Sequence, residues 1–467
     1  MTQPVRVRFA PSPTGAPHIG NIRSALFNYL FAKHHNGSFI IRIEDTDQQR
    51  LVPESVGQIL ESLKWLGMEP DEELVVQSER LDIYNEHANQ LLEKGVLYKD
   101  YTTPEQLEAL RAEARSAKQP FRFTHKHATL EPANPDQKPV LRFKVPGGAD
   151  VVWHDAVWGE QRWQREVLED YVAIKADGFP TYHFANVVDD HLMNISHVIR
   201  AAEWIPSTPK HVMLYEAFGW EPPVFAHLPQ VLGADKAKLS KRHGAKAVLE
   251  YRDDGYLPET LFTYLASLGF NDGTTQETYT ADELIKAFSF ERVQSSPAVF
   301  DAERLNWMNG VYIRELKLDE LYERSNGFWP ESADKFDDSY RKQVLALVHE
   351  RLKFLSELPM LTSFFFTEPN VDPQLFPKQF DEGERSELLS KVIATLEDSD
   401  FSDEDLEKRL RQLMEDNRLK TGVAFGIIRV AITGSTAAPG LFETLHTLGK
   451  EVSLGRLKHI TEPRRIG

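Results

Sequence analysis

The run VRVRF (residues 5–9), APSPTGAPHIG (10–20), NIRSALFNYLFAKHHNGS (21–38) and FIIRI (39–43) decides the fold. Val5–Phe9 reads as a short strand, and residues 10–20 as a loop rich in Pro, Gly and Ser. Ile22, Ala25, Leu26, Tyr29 and Leu30 then recur at helical spacing, and Gly37 is placed to stop that helix as its C′ residue. Phe39–Ile43, β-branched and aromatic, reads as a second strand. Strand, helix and strand make a βαβ unit, the signature of a parallel α/β sheet.

Outward from that unit, Glu54–Leu66 and Leu81–Lys94 read as helices closed by Gly67 and Gly95. Thr103-Pro104-Glu105-Gln106 combines an N-cap, a proline at N1 and a glutamine at N3. From about Ala117 to Tyr171 the pattern changes to short β-rich runs (140–145, 151–154 and 157–163), which read as an inserted module rather than a continuation of the sheet. Alternation returns near Gly178, with a strand at Ile195–Ile199 and a helix at Thr208–Ala217. From Leu257 onward the pattern is almost wholly helical.

Composition narrows the function classes. A chain of 467 residues suggests about three domains, and an apolar content of 41% supports packed cores. No apolar run is long enough for a membrane span, and the N-terminus lacks signal-peptide features. Cysteine is absent, which excludes disulfides, thiolate catalysis and cysteine-based zinc sites and fits a reducing cytoplasm. The net charge of −17 argues against a nucleic-acid binder unless basic residues gather in one groove.

Two segments carry chemistry. The first is the loop after strand one, at the edge where open α/β sheets bind ligands. The following helix offers N–H groups and a positive dipole end to a phosphate. Within it, Gly15 and Gly20 permit close backbone approach, and His18 is placed to donate to a phosphate oxygen; a plain surface histidine is the alternative. The second is Ala237-Lys238-Leu239-Ser240-Lys241-Arg242-His243-Gly244, whose three cations suit a triphosphate or form a solvated basic loop.

Together these segments resemble the HIGH-like and KMSKS-like signatures of class I aminoacyl-tRNA synthetases. FAPSPTG (9–15), RIEDTD (42–47), GFPTYHFANVVDDHLM (178–193), STPK (207–210), LSKRHG (239–244) and SPAVFDAERLNWMN (296–309) each resemble the glutamyl members, as does the Gly440–Gly449 segment, all in family order. The resemblance implies a Rossmann-like parallel-sheet catalytic domain in two halves (1–98 and 178–235). It also implies an inserted acceptor-binding module (99–177), a linking stem-contact region with the KLSKR loop (236–319) and a helical anticodon-binding region (320–467).

It further implies a cytoplasmic ligase that uses ATP with Mg2+ to activate L-glutamate and load it onto tRNA(Glu), with tRNA(Gln) left open as a second acceptor and a monomer expected. ATP would meet His18, Gly20, Asn21, Glu203, Trp204, Lys238, Leu239, Ser240 and Lys241, of which His18, Lys238 and Lys241 would be catalytic. Glutamate would meet Arg8, Ala10, Ser12, Glu44, Tyr182, Asn186 and Arg200. Arg8 would clamp the side-chain carboxylate bidentately, Arg200 would face the α-carboxylate, and Glu44 would receive the ammonium.

Plainer alternatives stand beside these roles. Arg8 and Glu44 could pair across adjacent strands, Tyr182 could be a core tyrosine, and Asp189 with Asp190 could be a solvated strand-to-loop pair. Asn21 replaces the second histidine of the HIGH name. YKDYTT (98–103) has no cysteine where some family members bind zinc, so no structural zinc is expected despite His125 and His127. Competing readings are a smaller nucleotidyltransferase, a short paralogue that modifies a tRNA base and a catalytically dead tRNA-binding protein. The blocks after residue 290 and the presence of Arg8, His18 and Lys241 oppose them.

Overall fold

The computed structural model describes residues 4–237, 239 and 246–461. Strand β1 (Arg6–Phe9), helix α1 (Ile19–His34) and strand β2 (Ser38–Ile43) form the expected βαβ unit. β1 and β2 are parallel, with Arg8 opposite Ile40. The helix begins earlier than the apolar pattern indicated, so Gly20 and Asn21 occupy its first turn. Its C-terminal reversal uses Asn36 (φ 52°) rather than Gly37. Gly37 is required for a different reason: a Cβ there would lie 2.3 Å from the Val5 carbonyl oxygen.

Helix α2 (Ser55–Trp65) leads to β3 (Val75–Val76), which pairs with β2. Helix α3 (Leu81–Glu93) leads to β4 (Leu97–Asp100) and α4 (Pro104–Ser116), where Thr103 and Gln106 form the expected capping box. Then come β5 (Val140–Phe143), β6 (Val151–Asp155), β7 (Gly159–Trp163) and β8 (Tyr171–Ile174). Sheet β4-β5-β8 is antiparallel and straddles the expected boundary at residue 98. Its Asp100 accepts from Thr102 and pairs with Arg142, whose guanidinium lies 4.0 Å over the Phe123 ring.

Helix α5 (Tyr182–Leu192), β9 (His197–Ala201), α6 (Thr208–Phe218) and β10 (Val224–Leu228) follow. One reading of the sequence is corrected here. The β6–β7 hairpin continues the main sheet, because β6 pairs parallel with β10 to give the order β7-β6-β10-β9. The hairpin's partner strand is distant in sequence, so local patterning could not reveal the pairing. β9 starts two residues later than expected, placing Arg200 within the strand. β1 lies beside β9, tied by the Ser196 N–H donating to the Arg6 carbonyl at 2.9 Å. Strands thus run outward in opposite directions from the β1/β9 pair, the switch point at which open α/β sheets bind ligands.

Strand β11 (Val231–Leu232) pairs with β12 (Ala298–Val299), and α7 (Val248–Asp253), α8 (Pro258–Ser267) and α9 (Ala281–Ala287) lie between them in sequence. Residues up to Arg252 with Pro258–Leu305 form one compact unit; Asp253–Leu257 and Asn306 onward form the second. The division falls inside α10 (Ala302–Glu315), ahead of the expected boundary at 320.

Every regular element among the second unit's described residues is helical: α11 (Leu318–Arg324), α12 (Asp338–Val348), α13 (Leu358–Phe366), α14 (Glu382–Glu397), α15 (Asp403–Asp416), α16 (Thr421–Thr433) and α17 (Leu441–Thr461). Buried Leu406, Leu410 and Met414 recur four apart on α15 and join Leu388, Leu389 and Val392 of α14 in one core. Arg409 and Arg411 pair with Asp405 and Glu407 on their own helix.

Candidate active site

The first signature loop is held in place by backbone bonds. The Glu44 N–H donates to the Pro11 carbonyl at 2.9 Å, and the Val52 N–H to Pro13 at 2.9 Å. His18 is the N-cap of α1. Its Nδ1 accepts from the Gly20 N–H at 3.1 Å, while its own N–H donates to Asn21 Oδ1 at 3.4 Å. With Nδ1 as acceptor, the ring hydrogen sits on Nε2, the atom that would donate to an anion. Gly20 makes this possible, since a Cβ there would stand 3.0 Å from His18 Cε1.

His18 also forms an antiparallel bridge with Ala247, and the Val248 N–H donates to the Pro17 carbonyl at 3.0 Å. The chain leaving the Lys-rich loop therefore docks on the first loop. Of that second loop, Leu239 donates its N–H to the Val231 carbonyl at 3.2 Å. Lys238, Ser240, Lys241, Arg242, His243 and Gly244 lie outside the described residues.

At the end of β1, Arg8 is buried and already bonded in two places: Nε donates to Asp190 Oδ1 at 2.9 Å and Nη2 to Oδ2 at 3.2 Å. The bidentate edge assigned to a substrate carboxylate is thus engaged by the protein, and the Nη1 end is the part not used in that pair. Asp190 also accepts from Arg42 Nη1 at 2.7 Å, and Arg42 Nη2 donates to Glu44 Oε1 at 3.1 Å. Asn186 Nδ2 donates to the same Glu44 oxygen at 2.9 Å. Asp189 accepts from Gln77, Arg80 and Tyr84 at 2.9, 2.9 and 2.7 Å.

Asp189 and Asp190 are therefore not a solvated strand-to-loop pair; both are buried on α5. Arg8 and Glu44 do not bond each other across the strands; Arg42 and Asn186 hold Glu44 instead. Burial pushes the Glu44 carboxyl up, against the pull of Arg42 and Arg8. Burial also pushes Asp190 up, but Arg8 and Arg42 outweigh it and hold the group below the usual aspartate range.

On β9, Arg200 has other company. Its Nε donates to His227 Nε2 at 3.1 Å, Nη1 to the Tyr182 hydroxyl at 3.1 Å and to His211 Nδ1 at 3.2 Å, and Nη2 to Thr208 Oγ1 at 2.9 Å. His227 Nδ1 donates to Asp155 Oδ2, and His211 Nε2 is bonded to His183 Nδ1. Burial lowers His183 to about 3 and His211 well below its ordinary value, with Arg200 adding to both shifts, so both rings are neutral near pH 7. Trp204 packs on Tyr182 at 4.4 Å between ring centroids. Among the described residues, no carboxylate lies within ion-pair distance of Arg200.

The structure thus gathers Arg8, Glu44, Tyr182, Asn186, Arg200 and Trp204 around the β1/β9 switch point, with Ala10 half-buried and Ser12, His18, Asn21 and Glu203 exposed around it. Sequence reading missed Arg42, Asp155, His183, His211 and His227. Arg42 was visible as the one charge inside the apolar run FIIRI; the others pair across strands and helices distant in sequence.

A family model for the catalytic domain of class I tRNA synthetases (E and Q) matches residues 4–307, and an anticodon-binding-domain model matches 320–461. The chain is 43% identical to a glutamate–tRNA ligase of Dehalococcoides mccartyi, covering 98% of each chain. It is 45% identical to one of Chloroflexus aurantiacus, covering 97% of each. A crystal structure of a glutamate tRNA ligase from Elizabethkingia meningosepticum, in complex with its amino acid, superposes with a TM-score of 0.89 at 34% identity, covering 98% of this chain and 99% of that one. Matched from its first strand into its last helix, the chain belongs to the glutamate–tRNA ligases of the class I tRNA synthetase (E and Q) family.

Proposed function

We propose that this protein activates L-glutamate with ATP and transfers it to the 3′ end of tRNA(Glu). The observation that carries the reading is the pair of buried arginines on adjacent strands at the switch point, Arg8 and Arg200, suited to a substrate with two carboxylates. Arg200 would take the α-carboxylate and the Nη1 end of Arg8 the side-chain carboxylate. Glu44, set by Arg42 and Asn186, would receive the ammonium. Ala10, Ser12 and Tyr182 would complete the amino-acid pocket.

In the first step an oxygen of the substrate α-carboxylate attacks the α-phosphorus of ATP, and the bond to pyrophosphate breaks. In the second, a terminal ribose hydroxyl of tRNA attacks the adenylate carbonyl, AMP leaves and the hydroxyl proton is released. No protein nucleophile is needed, and positioning with charge stabilisation carries the chemistry. His18 Nε2, with the first-turn backbone at Gly20 and Asn21, would hold phosphate oxygens. Lys238 and Lys241 would neutralise charge building on the pyrophosphate, with Leu239 and Ser240 beside them. Glu203 and Trp204 would flank the adenosine. Magnesium would accompany ATP, held largely by its phosphates.

No helix among the described residues is long and apolar enough to cross a membrane. We place the protein in the cytoplasm as a monomer, with residues 99–177 at the acceptor end of tRNA and the helical region from 320 at the anticodon. The test is attachment of radiolabelled glutamate to purified tRNA(Glu) and tRNA(Gln), with His18→Ala and Lys241→Ala as controls. Charging of tRNA(Glu) that both variants abolish supports the reading, and the second tRNA reports discrimination. No charging of either tRNA overturns it.

A further inference from the structure

Asp155 and His227 form a fully buried polar pair that the reaction does not touch. Asp155 closes β6 and His227 sits on the neighbouring strand β10. One carboxylate oxygen, Oδ1, accepts from the backbone N–H groups of Val157, Trp158 and His227 at 3.0, 3.0 and 3.3 Å. The other, Oδ2, faces His227 Nδ1 at 2.5 Å. Trp158 Nε1 adds a bond to the His227 carbonyl at 2.8 Å.

Burial pushes Asp155 up, but His227 and the backbone donors outweigh it; burial lowers His227 despite the carboxylate. The pair is therefore an ionised aspartate and a neutral imidazole, with the hydrogen on Nδ1. Nε2 then carries a lone pair, and Arg200 Nε, which can only donate, points into it at 3.1 Å. The tautomer is fixed from both ends.

We propose that Asp155 and His227 are positioning residues that hold the Arg200 guanidinium for the α-carboxylate of the amino acid. This rests on the reading of Arg200 as the group that meets that carboxylate. A carboxylate bonded directly to Arg200 would compete with the substrate for its charge, as Asp190 does at the Nε and Nη2 atoms of Arg8. Interposing a neutral ring passes on orientation and leaves the charge available. The two remaining sides of the guanidinium use the same device, with Thr208 Oγ1 and His211 Nδ1 as neutral acceptors.

The decisive comparison is His227→Gln against His227→Asn in the full chain. Both lose the ring; asparagine can keep the Asp155 bond through an amide at the Nδ1 position, but only glutamine reaches the Nε2 position with an acceptor oxygen. In pyrophosphate exchange with tRNA(Glu) present, His227→Asn should raise the KM for glutamate at least about tenfold, as expected for a lost bond to a charged group. The KM for ATP should stay within about threefold, and His227→Gln should recover most of the difference. Asp155→Asn should match His227→Asn: Asn Oδ1 stays with the three N–H groups, and its amide then donates toward Nδ1 and forces the wrong tautomer.

Inhibition by 4-aminobutyrate, which is glutamate without its α-carboxylate, should be unchanged in all three variants. Equal glutamate KM values for the glutamine and asparagine variants, or parallel losses for ATP and 4-aminobutyrate, overturn the inference and leave the overall function standing. A wild type that activates no glutamate removes both. Should the variants fail to fold, 15N-histidine spectra of the wild type decide. A buried neutral ring protonated on Nδ1 supports the inference, and protonation on Nε2 refutes it.

Discussion

Arg8 and Arg200 end neighbouring strands of one unit and are 3% and 6% exposed, yet their surroundings are electrically opposite. Arg8 lies in a closed ion network, where Arg8, Arg42 and Arg80 face Asp189, Asp190 and Glu44. Arg200 lies in a cradle of neutral acceptors: two imidazoles, a phenol and a threonine hydroxyl. The first arrangement balances most of its charge within the fold and leaves the Nη1 end of Arg8 outside the Asp190 pair. The second leaves the positive charge without a carboxylate partner among the described residues, tolerable because each side of the guanidinium still finds a hydrogen bond. Burial alone therefore does not tell how much of an arginine's charge its protein partners already balance; the charge of those partners does.

Arg42→Met should have the largest consequence. Arg42 is fully buried between Asp190 and Glu44, with Asp189 3.8 Å from its Nε. Removing it leaves three buried carboxylates facing two arginines. The expected loss is about 3–5 kcal/mol of stability, the usual result of breaking a buried charge pair from one side. Denaturant unfolding checks it, and a loss below about 1 kcal/mol would mean that the network is solvated rather than closed.

Next is Arg200→Lys. The neighbours are neutral, so no buried carboxylate is abandoned and the melting temperature should move little. The planar fork is lost, however, and the glutamate KM should rise about 30-fold, or roughly 2 kcal/mol of binding. Arg8→Lys should fail on both measures, because Asp190 loses one of its two bidentate contacts. Two lysine variants that behave alike in stability and in KM would mean that partner charge does not set the two arginines apart.

The same contrast explains what could be read from the sequence. The βαβ unit was legible because periodicity, a Gly/Pro loop and two short strands are local signals. His18 could be named as a ligand candidate because it lies between strand and helix, at the N-terminus of α1. Arg8 and Arg200 could be named, but not their electrostatic difference, since that depends on Asp190 and His227, 182 and 27 residues away in sequence. Asp155 and His227 gave no local signal: one sits in a β-rich run that looked like an insert, the other in an ordinary strand. Gly37 was picked out for a left-handed turn that Asn36 makes instead, because a glycine's close contact with another strand leaves no local trace.

Acid titration separates the two regions by pH window. The cradle histidines are depressed below their unfolded value of about 6.5, so their contribution is present above that pH and is lost as pH falls towards the folded values. Asp190 is depressed below about 3.9, and its contribution fades only under more acid conditions. Glu44, raised by burial, acts with the opposite sign, losing stability as pH rises through its folded value, and makes the net slope shallower. His183→Gln removes one proton from the balance without touching the Arg8 network. Between pH 5.5 and 4.5 it should reduce the slope of stability against pH by about 1.4 kcal/mol per unit. An unchanged slope would mean that His183 is not held neutral.

A contrast of the same kind exists along a single strand. Arg6 lies two residues before Arg8 and also meets a carboxylate with both ends of its fork: Nη1 and Nη2 bond Glu72, the latter at 2.7 Å. Both the Arg6–Glu72 and the Arg8–Asp190 pairs are bidentate, the first end-on through Nη1 and Nη2, the second side-on through Nε and Nη2. Exposure separates them, because the Glu72 side chain is 43% exposed and the Asp190 side chain 2%. Water screens the outer pair and rehydrates either partner when the other is removed, and Arg6 keeps its Nε bond to the Met193 carbonyl at 2.7 Å. Glu72→Ala should therefore change stability by less than about 1 kcal/mol and leave the glutamate KM unaltered. A larger loss on unfolding would place the outer pair inside the same cooperative network as Arg42, and the boundary of that network would have to be drawn further from the site.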